Sequence, residues 1–210
     1  KMQLENLTDK PIFVSPFWIN QNIFFNIPKK EIIRKKLGIN LDDYLIGSFQ
    51  RDTEGSDMTS PKLSKGPDRF IKIVEHYQKI NPNTAVVLTG RRRNYIIDQL
   101  EEKKIKFYYF EMANFETLNE LYNCLDIYIV SSRYEGGPQA ILECAVTKTP
   151  VISTDVGIAS EILHKESIFD MKNFQNAKPN VTEAAKNASK LTLPEGMNTY
   201  LKFFKEIYEN

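Results

Sequence analysis

Short apolar runs rich in β-branched and aromatic residues alternate along the chain with stretches whose apolar positions recur at helical spacing. Strands are expected at 44–49 (YLIGSF), 84–90 (TAVVLTG), 105–110 (IKFYYF), 125–130 (LDIYIV) and 150–154 (PVIST), with a further one in PIFVSPFW (11–18) that ends at Pro16. Helices are expected at 28–39, 66–80, 95–103, 115–124, 138–146 and 159–165, with closing helices at 181–190 and 195–209. The helix at 28–39 has Pro28 near its first turn and Gly38 past its end. In the helix at 66–80, Phe70, Ile73, Val74 and Tyr77 share one face. Residues 50–65 carry charges, Gly55, Pro61 and three serines and read as a long loop. Residues 170–180 read as a late linker.

These strands are too apolar to have a wet face, and they alternate with helices for about five units. That pattern predicts an α/β fold, a doubly wound, mainly parallel sheet with helices on both faces. Ligands of such sheets lie in the crevice beyond the carboxyl ends of the strands. Attention therefore falls on the loops 47–66, 90–94, 111–115 and 131–138.

Composition removes several classes. A net charge of +1 gives no global field for nucleic acid or an anionic membrane. No apolar run approaches a membrane span, and no signal peptide opens the sequence. Cys124 and Cys144 form no pairing motif and sit among apolar residues, which suits a reducing compartment. A chain that starts KMQLENLTDK reads as entered in the middle of a longer protein.

Local chemistry is richer. In RYEGGPQAILECAV (133–146), Gly136-Gly137-Pro138 follows a strand and opens a helix. Pro138 is suited to the first helical position, and the free N–H groups of such a start favour an anion. Glu135 either complements that helix dipole or holds a ligand. Glu143, farther into the helix, is either a solvated residue or a ligand-binding one. Gly47 ends a strand where backbone can approach a phosphate. Arg51 and Lys65 flank the loop that follows and are candidates for a diphosphate. TGRRRNY (89–95) reads as a helix start with exposed arginines, one of them able to face the crevice; it lacks the wider basic face that nucleic acid needs. His76 and His164 have no partners at metal-ligand spacing, so no metal site is expected.

Taken in order, these stretches resemble the nucleotide-sugar-binding half of a GT-B glycosyltransferase of family 4, a retaining family. EGGPQAILE is similar to its E-x7-E signature, from Glu135 to Glu143. TPVISTDVGIASEIL (149–163) is similar to its P-V-I-x-x-x-x-G-x-x-E segment, and LSKGPDRFIKIVEHY (63–77) to its K-G-x-D element. LNELYNCLDIYIVSSRYEG (118–136) resembles its L-x-x-x-Y-x-x-x-D-x-x-x-x-x-S-x-x-E-G stretch. The likeness runs from about residue 12 to residue 165.

The resemblance implies roles. Glu143 would accept from the two ribose hydroxyls of a nucleotide, and Glu135 would contact the donor sugar. Gly136 and Gly137 would let backbone approach sugar and phosphates. Lys65 would pair with the diphosphate, which Gly47 would admit. The backbone at Glu111 and Met112 would edge the base, with Leu118 nearby. The family usually has Arg where this chain has Ser48, and Arg51 is expected to take over that phosphate contact. Lys148 stands where a Gly commonly precedes Thr-Pro, and Ile158 replaces a second glycine after Asp155-Val156.

The implied domain plan is a donor-binding domain over 1–170 and, over 171–210, a linker and closing helices packed on it. An N-terminal acceptor domain is absent from this sequence, so the chain alone is expected to transfer little or nothing. The implied activity is metal-independent hexosyl transfer with retention, using a UDP-, GDP- or ADP-sugar as donor and no cofactor. The acceptor, a glycan, lipid or small molecule, would bind the missing domain. The implied location is cytoplasmic, with any peripheral membrane contact made through that domain. A non-catalytic nucleotide-binding module of the same fold and a GT-B nucleotide-sugar epimerase are the alternatives.

Overall fold

The computed structural model describes residues 6–10 and 12–209. Helix α1 (Lys30–Lys36) precedes β1 (Tyr44–Ser48). Then come α2 (Pro67–Ile80), β2 (Thr84–Thr89), α3 (Asn94–Glu102) and β3 (Lys106–Phe110). The second half contains α4 (Phe115–Cys124), β4 (Ile127–Val130), α5 (Gln139–Thr147), β5 (Val151–Thr154), α6 (Ala159–Ile162) and β6 (Ile168–Phe169). The chain closes with α7 (Val181–Ala188) and α8 (Asn198–Glu209).

All pairings in the six-stranded sheet are parallel, in the order β3-β2-β1-β4-β5-β6. Alternate residues of each strand feed two cores. Leu45, Ala85 and Val87 face Ile33, Leu121, Ile141, Leu142 and Ala184, from α1, α4, α5 and α7. Ile46, Val86 and Leu88 face Phe70, Ile73, Ile96 and Leu100, from α2 and α3. The chain winds outward from β1 to β3, then returns to β4 on the other side of β1. That reversal opens a crevice at the carboxyl ends of β1 and β4. Asp126, just before β4, pins α1 to the sheet: it takes Lys30 Nζ at 2.6 Å, Arg34 Nη2 at 2.7 Å and the Leu45 amide at 2.7 Å.

The expected strand at 11–18 does not form. Pro11 lies outside the described residues, and residues 12–18 pair with no strand; a single bridge joins Ile19 to Thr192. A segment that contains Pro16 lacks a ladder donor there. Its aromatics pack on α8 instead, Phe13 against Phe203 at 4.5 Å and Trp18 against Tyr200 at 4.9 Å. The two-residue β6 was too short to leave a pattern. The helix expected at 159–165 stops at Ile162, because Leu163 is extended. Within 170–180, Phe174 is buried and lies 5.3 Å from the His76 ring.

Helix α5 ends on Lys148, which adopts a left-handed conformation (φ 58°, ψ 30°). A side chain there costs energy that glycine avoids. Lys148→Gly is expected to stabilise the fold by about 0.5–1 kcal/mol after the greater freedom of unfolded glycine is subtracted. The check is a higher urea midpoint at unchanged slope; an unchanged or lower midpoint would contradict it.

Candidate functional site

The loop after β1 and the loop after β4 meet over the crevice through a tight turn. Residues Leu63–Lys65 form a single 3-10 turn, and Gly66 follows with φ 64°. A Cβ on Gly66 would overlap the carbonyl of Ser131, so only glycine lets the start of α2 lie against the end of β4. The Ser131 hydroxyl donates to the Gly66 carbonyl at 2.9 Å. This contact carries Lys65 across to the β4 loop. There its Nζ lies 2.5 Å from Glu135 Oε1, which also accepts from the Ser132 hydroxyl at 3.0 Å. Gln50 Nε2 donates to the Lys65 carbonyl at 2.9 Å, tying in the β1 loop as well. Arg133 holds the β4 loop to α2 through two 2.7 Å bonds with Asp68.

Glu135 is therefore an ion-pair partner rather than a helix cap. Helix α5 begins at Gln139, and Pro138 occupies the capping position with extended ψ, one residue earlier than its expected place. Gly157 (φ 55°) packs on this segment: a Cβ there would lie 2.8 Å from Pro138 Cδ and 2.9 Å from the Gly136 carbonyl oxygen. A Cβ on Gly136 would meet nothing within 4 Å, so that backbone is open to an approaching group. At Gly137 the neighbour is Ile158 Cγ2, 3.9 Å from an added Cβ.

Glu143 projects from the second turn of α5 into the same cavity, which has a volume of about 270 Å³. Lys65, Glu135, Gly137, Gln50 and the rings of Tyr122 and Tyr128 also line it. The Tyr122 hydroxyl donates to Glu143 Oε2 at 2.5 Å. Burial pushes the Glu143 carboxyl up from its ordinary value, with the Tyr122 bond opposing. Burial also raises the Tyr122 phenol well above its usual range, and the neighbouring Glu143 adds to this. The Tyr128 hydroxyl receives the Phe49 amide at 2.9 Å, and the Phe49 ring packs edge-on against both tyrosines. The wall is thus aromatic, with two carboxylates and one ammonium placed on it.

The other candidates separate from this cluster. Gly47 is not among the residues that line the cavity, and a Cβ there would overlap Leu125 and reach 3.0 Å from Tyr128. Its small size makes room for the Leu125 and Tyr128 side chains. Ser48 is buried, and its carbonyl and hydroxyl both accept from Arg93. Arg51 does not join Lys65. Its Nε donates to the Thr53 carbonyl at 2.7 Å, and the side chain lines a neighbouring cavity together with Glu111. Met112 is 69% exposed, and Leu118 packs against the core without lining the cavity.

Arg93, expected among exposed arginines, is fully buried. It pairs with Asp52 at 2.7 Å and caps the carbonyls of Ser48 (2.6 Å) and Thr89 (3.0 Å). Tyr128 and Gln50 were also missed as neighbours of this cluster, whereas Tyr122 and Ser132 stand at fixed positions of the 118–136 stretch without having been given a role. Tyr122 was legible as an inward residue of α4, but nothing in its spacing linked it to Glu143. Among the described residues no group of three His, Cys, Asp or Glu could hold a metal ion.

The chain is similar to the alpha-galactosylglucosyldiacylglycerol synthase of Streptococcus pneumoniae, 23% identical over 92% of this chain and 54% of that protein. Among solved structures it resembles HepE of Anabaena in complex with UDP and glucose, with a TM-score of 0.66 and 15% identity over 92% of this chain and 55% of the other. It also resembles the C-terminal domain of a glycosyl transferase group 1 family protein of Francisella tularensis, with a TM-score of 0.58 and 19% identity over 89% of this chain and 98% of that domain. The chain spans about half or less of the length of the curated relatives it matches. Residues 29–193, most of the chain, match one family throughout, and the chain belongs to the glycosyl transferases group 1, built on the GT-B fold.

Proposed function

We propose that the chain is the donor-binding half of a retaining hexosyltransferase of family 4, and that the crevice between β1 and β4 binds a nucleotide-diphosphate sugar. One observation carries this reading: Lys65, Glu135 and Glu143, from three separate segments, converge on one aromatic-walled cavity at the strand carboxyl ends. The UDP and glucose bound by the Anabaena neighbour support the ligand class.

In this reading Glu143 accepts from the ribose hydroxyls, already oriented by Tyr122. Lys65 has three N–H donors and uses one on Glu135, so it can bridge that carboxylate to a diphosphate oxygen. As the sugar departs, negative charge grows on the diphosphate, and Lys65 with the open backbone at Gly136 stabilises it. Glu135 then orients sugar hydroxyls beside the reacting carbon, while its charge stays balanced by Lys65. No metal or other cofactor enters this scheme. The acceptor, a glycan, lipid or small molecule, meets the donor on a second domain, and the chain alone binds donor but transfers little.

Titration with UDP-, GDP- and ADP-sugars identifies the donor. UDP should bind more tightly than uridine, and Lys65→Met should shrink that advantage by about tenfold, the scale of one charge-assisted hydrogen bond. An undiminished advantage in the variant would remove Lys65 from the site. Robust sugar transfer by this chain alone would contradict the half-enzyme reading.

A further inference from the structure

Beside the Lys65–Glu143 crevice lies a second and larger cavity, of about 680 Å³, over the carboxyl ends of β2 and β3. Three arginines reach it from two loops: Arg51 from the loop after β1, and Arg91 and Arg92 from the loop before α3. Among the described residues none of the three forms an ion pair. The cavity also holds Asp98 and Glu111, and among the described residues neither forms an ion pair with one of these arginines. The nearby Asp52 is already committed to Arg93. Three guanidiniums thus share one cavity with two carboxylates, which leaves a net positive charge and no close ion pair.

The backbone fixes the placement of Arg92, and a hydrogen bond holds Arg51. The Arg92 carbonyl accepts from the Asp52 amide at 3.1 Å and the Thr53 hydroxyl at 3.2 Å, so the two loops are laced together. Arg92 itself is held at φ 61°, a conformation costly for any residue but glycine. Arg51 spends only its Nε, on the Thr53 carbonyl, and Arg92 makes one 3.4 Å contact with the Gly55 carbonyl. Most of the guanidinium donors stay available in a forked geometry that matches a phosphoryl group. Tyr109 and Ile97 add an apolar wall on which a sugar ring can rest.

We propose that this cavity is a second binding site, for a phosphate group free or carried on a sugar, held by Arg51, Arg91 and Arg92 separately from the nucleotide crevice. The site does not depend on the donor reading, since none of its arginines lines the Glu143 cavity.

The test is calorimetric titration of the chain at low salt with inorganic phosphate, glucose 6-phosphate and glucose. Glucose 6-phosphate should bind saturably and glucose should not. The double variant Arg91→Gln/Arg92→Gly, in which glycine fits the left-handed backbone, should weaken binding about tenfold or more. Arg91→Gln, at an exposed position, repeats the test should the double variant melt early. Lys65→Met should leave phosphosugar affinity within about twofold, as expected for a group outside the site. Equal affinity for inorganic phosphate and glucose 6-phosphate assigns the site to free phosphate; tighter binding of the phosphosugar assigns it to a phosphorylated sugar. Absence of saturable binding by both phosphates would overturn the proposal. So would loss of binding in Lys65→Met with retention in the arginine variants, which would put the anion in the nucleotide crevice.

Discussion

Arg93→Ala is expected to destabilise the fold by about 3–5 kcal/mol, the cost of leaving one member of a buried ion pair without its partner. The Arg93 side chain is fully buried and that of Asp52 is 1% exposed. Burial already pushes the Asp52 carboxyl up, against the pull of Arg93 and the Tyr95 and Ile96 amides. Removing the guanidinium takes away the largest opposing pull, so the Asp52 carboxyl rises further above its ordinary value. For a carboxyl whose folded value is raised, stability is present below the unfolded value and is lost as pH rises through the folded one. The deficit of Arg93→Ala should therefore be smaller near pH 4 than near pH 7. It should be repaired only in part by the apolar pair Arg93→Met/Asp52→Leu, because the Ser48 and Thr89 carbonyls still lose their donor. Urea denaturation at the two pH values measures both effects. A deficit below about 1 kcal/mol at neutral pH would mean that the pair does not hold the loops, because such a value is typical of an exposed pair.

Arg93 also shows what a sequence hides. The fold was legible because parallel strands buried on both faces leave continuous apolar runs, and because α4, with its regular spacing, begins and ends where its pattern does. The two carboxylates and Lys65 were picked out by motif spacing, and the fold brings them to one cavity. In RRR the three side chains are chemically identical, and only the packing of α3 against the β1 loop decides that Arg93 goes inward while Arg91 and Arg92 face out. The same lack of depth information hid the packing at Gly47. On an all-buried strand a glycine can face either side, and Leu125 and Tyr128 claim the space here. Segment 11–18 failed for another reason: its aromatics are strand-like, but their partners come from α8, about 190 residues away in sequence, where no local pattern can announce them.

Glu143→Gln is expected to separate function from stability. In the free protein the carboxylate is half-buried on the cavity wall with one hydroxyl donor, from Tyr122, and desolvation raises it above the ordinary value of 4.5. By the same linkage, Glu143 favours folding below about pH 4.5 and loses that contribution as pH rises through its raised value. Glutamine keeps an acceptor for Tyr122 and removes the half-buried charge. The variant should match the parent in acid and become more stable by about 1 kcal/mol at pH 8. Nucleotide binding should move the other way. A ribose that donates both hydroxyls to a carboxylate loses about 1.5–3 kcal/mol when the acceptor becomes neutral, or roughly 10- to 150-fold in affinity. Binding to the parent should weaken as pH falls toward the raised Glu143 value, because the ribose hydroxyls need the ionised form; binding to the variant should not. A 2′-deoxynucleotide should discriminate poorly between the two proteins. Thermal melts across pH, paired with titrations of UDP and its 2′-deoxy analogue, read both arms. Equal affinity of parent and variant for UDP would remove Glu143 from the ribose site even if the stability arm holds, because burial alone accounts for the stability gain. A half-buried carboxylate retained against its own desolvation is expected where a ligand's hydroxyls replace the missing water.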